Sequence, residues 1–127
     1  ERINKVKNCI YFGYLQEKNI NQCLSAAKVL FYPSVYEGFG LSPIEAMASG
    51  TPTIASSLDV TKEILKDNAL LVDLNNYSDW SNNIKLLLEN HEIYKVYVEK
   101  GISYSKKFKA GTTPIEIQKI YSEIIKN

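Results

Sequence analysis

Apolar and polar positions divide the chain into compact apolar runs and amphipathic stretches that alternate along its length. Asn8-Cys-Ile-Tyr-Phe12 and Lys28-Val-Leu-Phe-Tyr32 are short apolar runs with β-branched and aromatic members, closed by Gly13 in one case and by Pro33-Ser34 in the other. Runs of this length predict strands, and the second, which lacks polar alternation, predicts a strand covered on both faces. Between them Ile20, Cys23, Leu24 and Ala27 keep the i, i+3, i+4, i+7 spacing of one buried helical face, which predicts a helix over 19–27. Thr53-Ile-Ala55 and Ala69-Leu-Leu-Val72 predict two further strands, with a helix over 60–65 between them and Asp59 as its N-cap. The remainder predicts helices over 78–89, with Trp80, Ile84, Leu87 and Leu88 inward, over 93–108, and over 114–125, where Ile117, Ile120, Tyr121 and Ile124 form one stripe. Strands alternating with helices imply an α/β domain with a parallel sheet and right-handed crossovers.

The densest signals lie in residues 34–50, SVYEGFGLSPIEAMASG. Gly38 and Gly40 bracket Phe39, so the backbone there is free to take positive φ or to approach a ligand without a Cβ in the way. Ser42, Pro43, Ile44 and Glu45 read as N-cap, N1, N2 and N3 of a helix with a capping box, and Gly50 as the left-handed residue after its end. A strand, a glycine turn and a helix start in this order put free N–H groups at the C-terminal edge of a sheet, where α/β domains bind phosphates. Glu37 and Glu45 flank that edge. Tyr14, Leu15, Gln16 and Glu17 follow the first predicted strand and share it.

Length bounds the organisation to one domain: 127 residues bury one core and not two. With 15 basic and 14 acidic side chains the net charge is +1, which excludes a global field for nucleic acid or an anionic membrane. Lys95, Lys100, Lys106, Lys107 and Lys109 concentrate late in the chain, either as a solvated helix face or as a patch for peripheral contact with membrane lipid. Cys9 and Cys23 have no metal or redox spacing and sit among apolar residues, which predicts buried free thiols in a reducing compartment. No stretch approaches the ~18 apolar residues of a membrane span, so the expected location is cytoplasmic, with peripheral membrane association as the variant.

Glu37-Gly-Phe-Gly-Leu-Ser-Pro-Ile-Glu45 resembles the E-x7-E motif of the retaining glycosyltransferases of family 4, which have the GT-B fold. Pro33-Ser34, Glu45-Ala-Met-Ala48, Gly50-Thr-Pro52 and Ile54-Ala-Ser56 stand where that family has similar residues, and the likeness covers residues 8–125. It implies that residues 1–127 form part of a C-terminal, nucleotide-sugar-binding Rossmann-like domain, the C-terminal half of a GT-B enzyme. About four parallel strands are only the second half of a doubly wound domain, so the expectation is a chain cut on its N-terminal side. On this reading it lacks the basic loop that contacts the donor diphosphate and the N-terminal domain that binds a glycan, lipid or protein acceptor. By the same resemblance Glu37 lies by the transferred sugar as the catalytic carboxylate, and Glu45 accepts hydrogen bonds from ribose hydroxyls. Gly38, Phe39, Gly40 and Leu41 offer N–H groups to the donor sugar and diphosphate. Leu15 and Glu17 face the nucleobase. No cofactor is implied beyond the nucleotide sugar as substrate, and no metal, since the chain has no Asp-x-Asp pair and no His cluster.

A plainer reading stands beside each residue. Glu45 is explained by the capping box alone, Glu37 by a solvated loop, the glycines by a hinge, Glu63 by an exposed helix and His91 by a surface helix start. Phe108-Lys-Ala-Gly111 departs from the tryptophan-containing aromatic pair of the family, which leaves the packing of the last helix open. A dinucleotide-dependent oxidoreductase would need a third glycine after Gly40, and no Walker lysine or G-x-S-x-G elbow is present. The alternatives that remain are a non-catalytic sugar-nucleotide or protein-binding domain descended from a glycosyltransferase, and an epimerase of the same fold.

Overall fold

A computed structural model describes residues 6–108. The helix expected over 114–125 lies outside them. Three parallel strands, β1 (Leu30–Tyr32), β2 (Thr53–Ser56) and β3 (Leu70–Val72), form one sheet in the order β1-β2-β3. Leu30 pairs with Thr53 and Ile54 with Leu70, so all C-terminal strand ends share one edge. Around the sheet lie α1 (Glu17–Ala26), α2 (Leu41–Ala48), α3 (Asp59–Leu65), α4 (Tyr77–Glu89) and α5 (His91–Ser105), with single 3-10 turns at Lys66–Asn68 and Lys106–Phe108.

Side-chain alternation on β2 sends successive residues to two faces. Ala55 packs with Ile44 and Met47 of α2, Leu65 of α3 and Ala69, and with the half-buried Tyr32, Tyr104 and Phe108 at the margin. Ile54 faces the other way, onto Val72, Trp80 and Leu87, with Ile84, Ile93 and Tyr97 beside them. Trp80 donates its indole N–H to Asp73 O at 3.0 Å, so the largest side chain of that layer is buried with its polar atom satisfied. The helix α2 ends in a Schellman motif, with Gly50 at φ 79° and the N–H groups of Gly50 and Thr51 returning to Met47 O and Ala46 O. No helix among the described residues is long and apolar enough to cross a membrane.

Several expectations need correction. Residues 8–12 form no strand, and Ile10 is 76% exposed. The sheet runs in the sequential order β1-β2-β3, and residues 8–12 pair with none of its strands, so their backbone groups have no ladder to join. The helix α1 does form, yet none of its residues is buried, and Cys9 and Cys23 are both exposed. An apolar stripe marks a face that can be covered, and only the stripe's partner decides whether it is. Among the described residues strand β1 lies at the end of the sheet, and with Phe31 47% exposed beside Trp80 it is not covered on both faces. Leu88 is 56% exposed and not inward, because the buried arc of α4 is carried by Trp80 and Leu87. Asp59 is the first residue of α3 and not its cap. The Thr61 hydroxyl accepts the Leu58 N–H at 2.9 Å instead.

Candidate active site

Residues 33–40 leave the end of β1 and return the chain into α2, so the candidate loop sits on the C-terminal edge of the sheet. Glu37 is half-buried in it. Tyr32, the last residue of β1, donates its hydroxyl to Glu37 Oε1. The Ser34 hydroxyl, which donates to Tyr36 O at 3.0 Å, lies within reach of the same carboxylate. The hydrogen bond from Tyr32, and then the Ser34 hydroxyl close by, hold the Glu37 carboxyl below the usual carboxylate range. Burial, with the hydrogen bond and the negative charge of Glu37 added, pushes the Tyr32 phenol up to about 12. At neutral pH the pair is thus a neutral donor and a charged acceptor, and Glu37 is poised as an anion on the open edge.

The helix start differs from the one the sequence predicts. Gly40, at φ 82° and ψ 62°, is the N-cap of α2, which makes Leu41, Ser42 and Pro43 its first three residues. Pro43 still falls within the turn whose N–H groups have no intrahelical acceptor. Glu45 comes two places after N3, and no capping box forms. It projects from the exposed side of α2 with Leu41 and Ala48, while Pro43, Ile44, Ala46 and Met47 are buried. Its carboxylate makes no hydrogen bond or ion pair among the described residues, so neither the core nor the helix end uses it.

Other helix starts are closed by side chains: Thr61 serves α3, the Asn76 side chain accepts from Asp79 N in α4, and that of Asn90 accepts from Ile93 N in α5. The first two helices have no side-chain cap. These are the two that begin beside Leu15 and Glu17 and beside Gly40 and Leu41. The N–H groups of Gly38, Phe39, Gly40 and Leu41 make no backbone hydrogen bond among the described residues. An added Cβ at Gly38 would meet nothing within 4 Å, and its φ is not positive, so nothing in the protein requires a glycine there. Gly40, in contrast, is required by its left-handed backbone.

The structure thus brings Glu37, the glycine loop and the start of α2 together. Leu15 is half-buried and Glu17 opens α1, which packs on α2; neither makes a hydrogen bond or ion pair to the loop among the described residues. Glu63 is exposed on α3 and His91 begins α5 on the surface, as their plainer readings have it. Of the late lysines, Lys95 lies 3.9 Å from Glu99, Lys100 bridges to Asp67 at 3.0 Å, and Lys107 sits over the Tyr104 ring at 4.9 Å. Lys109 is outside the described residues. Those contacts suit a solvated helix face.

Two contacts at the site were not visible in the sequence. Tyr32 reads as a core aromatic in an apolar run, and only its place at the strand's C-terminal end hints that its hydroxyl reaches the edge. Phe39 packs edge-on against Phe108, with ring centroids 6.1 Å apart, and Phe108 in turn against Tyr104 at 5.4 Å, so the loop leans on the end of α5. Open concavities of the described residues lie elsewhere. One of about 300 Å³, lined by Lys28, Leu87, Glu89, His91 and Tyr94, lies at the opposite, N-terminal edge of the sheet and holds no candidate residue.

A parallel sheet flanked by helices defines a Rossmann-like α/β domain, and the uncapped helix starts and Glu37 gather at its C-terminal edge. The chain belongs to the family described as "Glycosyl transferases group 1", which matches residues 2–104. It is similar to O-antigen chain mannosyltransferase B of Escherichia coli, 32% identical over 98 residues that make up 77% of this chain and 26% of the relative. Similarity to O-antigen chain mannosyltransferase RfbU of Salmonella typhimurium is 44% over 75 residues, 57% of this chain and 21% of the relative. Phosphatidyl-myo-inositol mannosyltransferase of Mycobacterium leprae is 25% identical over 122 residues, 94% of this chain and 33% of the relative. The chain spans between 21% and 33% of the length of these relatives.

Proposed function

We propose that residues 1–127 are the donor-binding part of a retaining glycosyltransferase that moves a hexose from a nucleoside diphosphate sugar to an acceptor. The names of the relatives make mannose the first sugar to test. The observation that carries the reading is Glu37, an anion held in place by Tyr32 beside a glycine loop and a helix start whose donors are unclaimed. Glu37 orients hydroxyls of the transferred sugar and favours the positive charge that grows on the anomeric carbon. The N–H groups of residues 38–41 and the positive end of α2 receive the departing diphosphate, the helix end contributing ~0.3–1 kcal/mol or more in a dry site. Glu45 takes the ribose hydroxyls, and Leu15 and Glu17 border the base. A separate N-terminal domain holds the acceptor, and a peripheral membrane contact would fall to Lys106 and Lys107 at the end of α5.

We also infer that the departing charge is met without a divalent cation. The N–H groups of residues 38–41 and the positive end of α2 supply the field that a cation would otherwise provide. The test is hydrolysis and transfer by the full-length protein with GDP-mannose, UDP-glucose, UDP-galactose and UDP-N-acetylglucosamine, each with and without a chelator. Turnover of one donor, unaffected by the chelator, is expected. Loss of activity restored by manganese would contradict the metal-free reading, and binding without turnover would favour a non-catalytic domain.

The two loop glycines should respond differently. Gly40→Ala forces a Cβ into left-handed backbone and costs about 1 kcal/mol, seen as a lower melting temperature. Gly38→Ala should leave the melting temperature unchanged and weaken sugar-nucleotide binding, because its open space is the ligand's. Thermal unfolding and donor titration of both variants check this. Wild-type affinity in Gly38→Ala would mean that the ligand does not approach that backbone.

A further inference from the structure

We propose that Tyr32 is the positioning residue of Glu37: its hydroxyl engages one carboxylate oxygen and leaves the other facing a hydroxyl of the transferred sugar. This rests on the reading of Glu37 given above. Glu37 by itself is loosely restrained, since it stands in a loop between Tyr36, 87% exposed, and Gly38, and a glutamate side chain has several rotatable bonds to fix. Tyr32 is the reverse case. Its backbone is held in the sheet opposite Ala55, and its ring packs against the cluster of Ile44, Met47, Ala55 and Leu65. A phenol fixed at both backbone and ring sets the direction of the carboxylate it touches.

The chemistry of the donor matters as much as its position. A lysine or arginine in that place would fix the carboxylate and cancel much of its charge, whereas a neutral hydroxyl orients the anion and leaves the charge to act on the sugar. The surroundings fit this. Ser34, in the loop, brings a second neutral hydroxyl near the carboxylate while donating to Tyr36 O; Tyr104 of α5, on the margin of the same core cluster, donates its hydroxyl to Ile64 O at 2.7 Å; and Lys107, just past α5, is drawn over the Tyr104 ring. Among the described residues no cation forms an ion pair with Glu37, which the direction of its pKa shift, caused by the hydroxyls of Tyr32 and then Ser34, matches.

The experiment compares full-length wild type, Tyr32→Phe and Glu37→Gln. Phenylalanine keeps the ring and removes only the hydroxyl. The Glu37 carboxyl is followed by ¹³C NMR titration, its resonance identified by its loss in Glu37→Gln, and donor hydrolysis is followed against pH with whichever of the four sugar nucleotides above turns over fastest. In Tyr32→Phe the Glu37 carboxyl should titrate at higher pH than in wild type. The acid limb of kcat should move up with it, and kcat at neutral pH should fall about tenfold with KM little changed. A wild-type titration and pH profile in Tyr32→Phe, with kcat of Glu37→Gln lowered about a hundredfold, overturns this inference alone, even if the melting temperature falls. Wild-type turnover in Glu37→Gln overturns the reading of Glu37 itself, and the inference with it.

Discussion

Glu37→Gln in the full-length protein should lower kcat about a hundredfold and leave nucleotide Kd and melting temperature close to wild type. The substitution is isosteric, and the glutamine carbonyl still accepts the Tyr32 hydroxyl, so the loop keeps its tether. What disappears is the negative charge beside the anomeric carbon, and removing one preorganised electrostatic group from a transition state costs about 10²–10³ in turnover. A loss confined to kcat marks an interaction made in the transition state, whereas a rise in KM alone would mark ground-state binding. The pH dependence has a definite sign. Because its partners depress the folded-state pKa of Glu37, the favourable contribution of the anion is present above the ordinary carboxylate range and is lost as pH falls through the lowered value. Wild-type activity should therefore persist into mildly acidic solution. Steady-state kinetics from pH 4 to 9 would check this.

Glu45→Gln should weaken nucleotide binding by about tenfold to over a hundredfold, the range expected for losing charge-assisted hydrogen bonds worth ~1.5–3 kcal/mol each. The helix should not notice. Glu45 caps nothing, pairs with nothing among the described residues and lies on the exposed side of α2, so a melting temperature equal to wild type is expected with the weaker binding. Calorimetric titration with UDP and GDP, beside thermal unfolding, separates the two effects. An unchanged Kd would remove Glu45 from the site.

Much of this molecule is legible where local and tertiary signals agree. Residues 34–50 carry breaker, glycine turn, helix and left-handed stop in order, and the structure places strand end, loop, α2 and the Gly50 stop accordingly. Helix α4 follows from periodicity, because Trp80 and Leu87 have a sheet to cover. Where the partner of a pattern decides the outcome, the pattern misleads. Residues 8–12 have strand composition and no ladder, and Ile20 and Cys23 have helical spacing and no cover. The start of α2 shifts because Ser42 is a good N-cap by type, whereas Gly40 supplies the left-handed backbone with which the chain enters the helix. The bond from Tyr32 to Glu37 spans five residues across a turn, and no periodicity encodes it.

The central claim is that a sugar nucleotide lies on the glycine loop and the start of α2. The most direct measurement follows backbone amide resonances of the ¹⁵N-labelled full-length protein during titration with GDP-mannose and the three UDP-sugars in turn. The largest shifts should fall on Gly38, Phe39, Gly40, Leu41 and Ser42, with Leu15 and Glu17 following. Shifts that spare this loop and gather instead around Lys28, Glu89, His91 and Tyr94, at the opposite edge of the sheet, would contradict it.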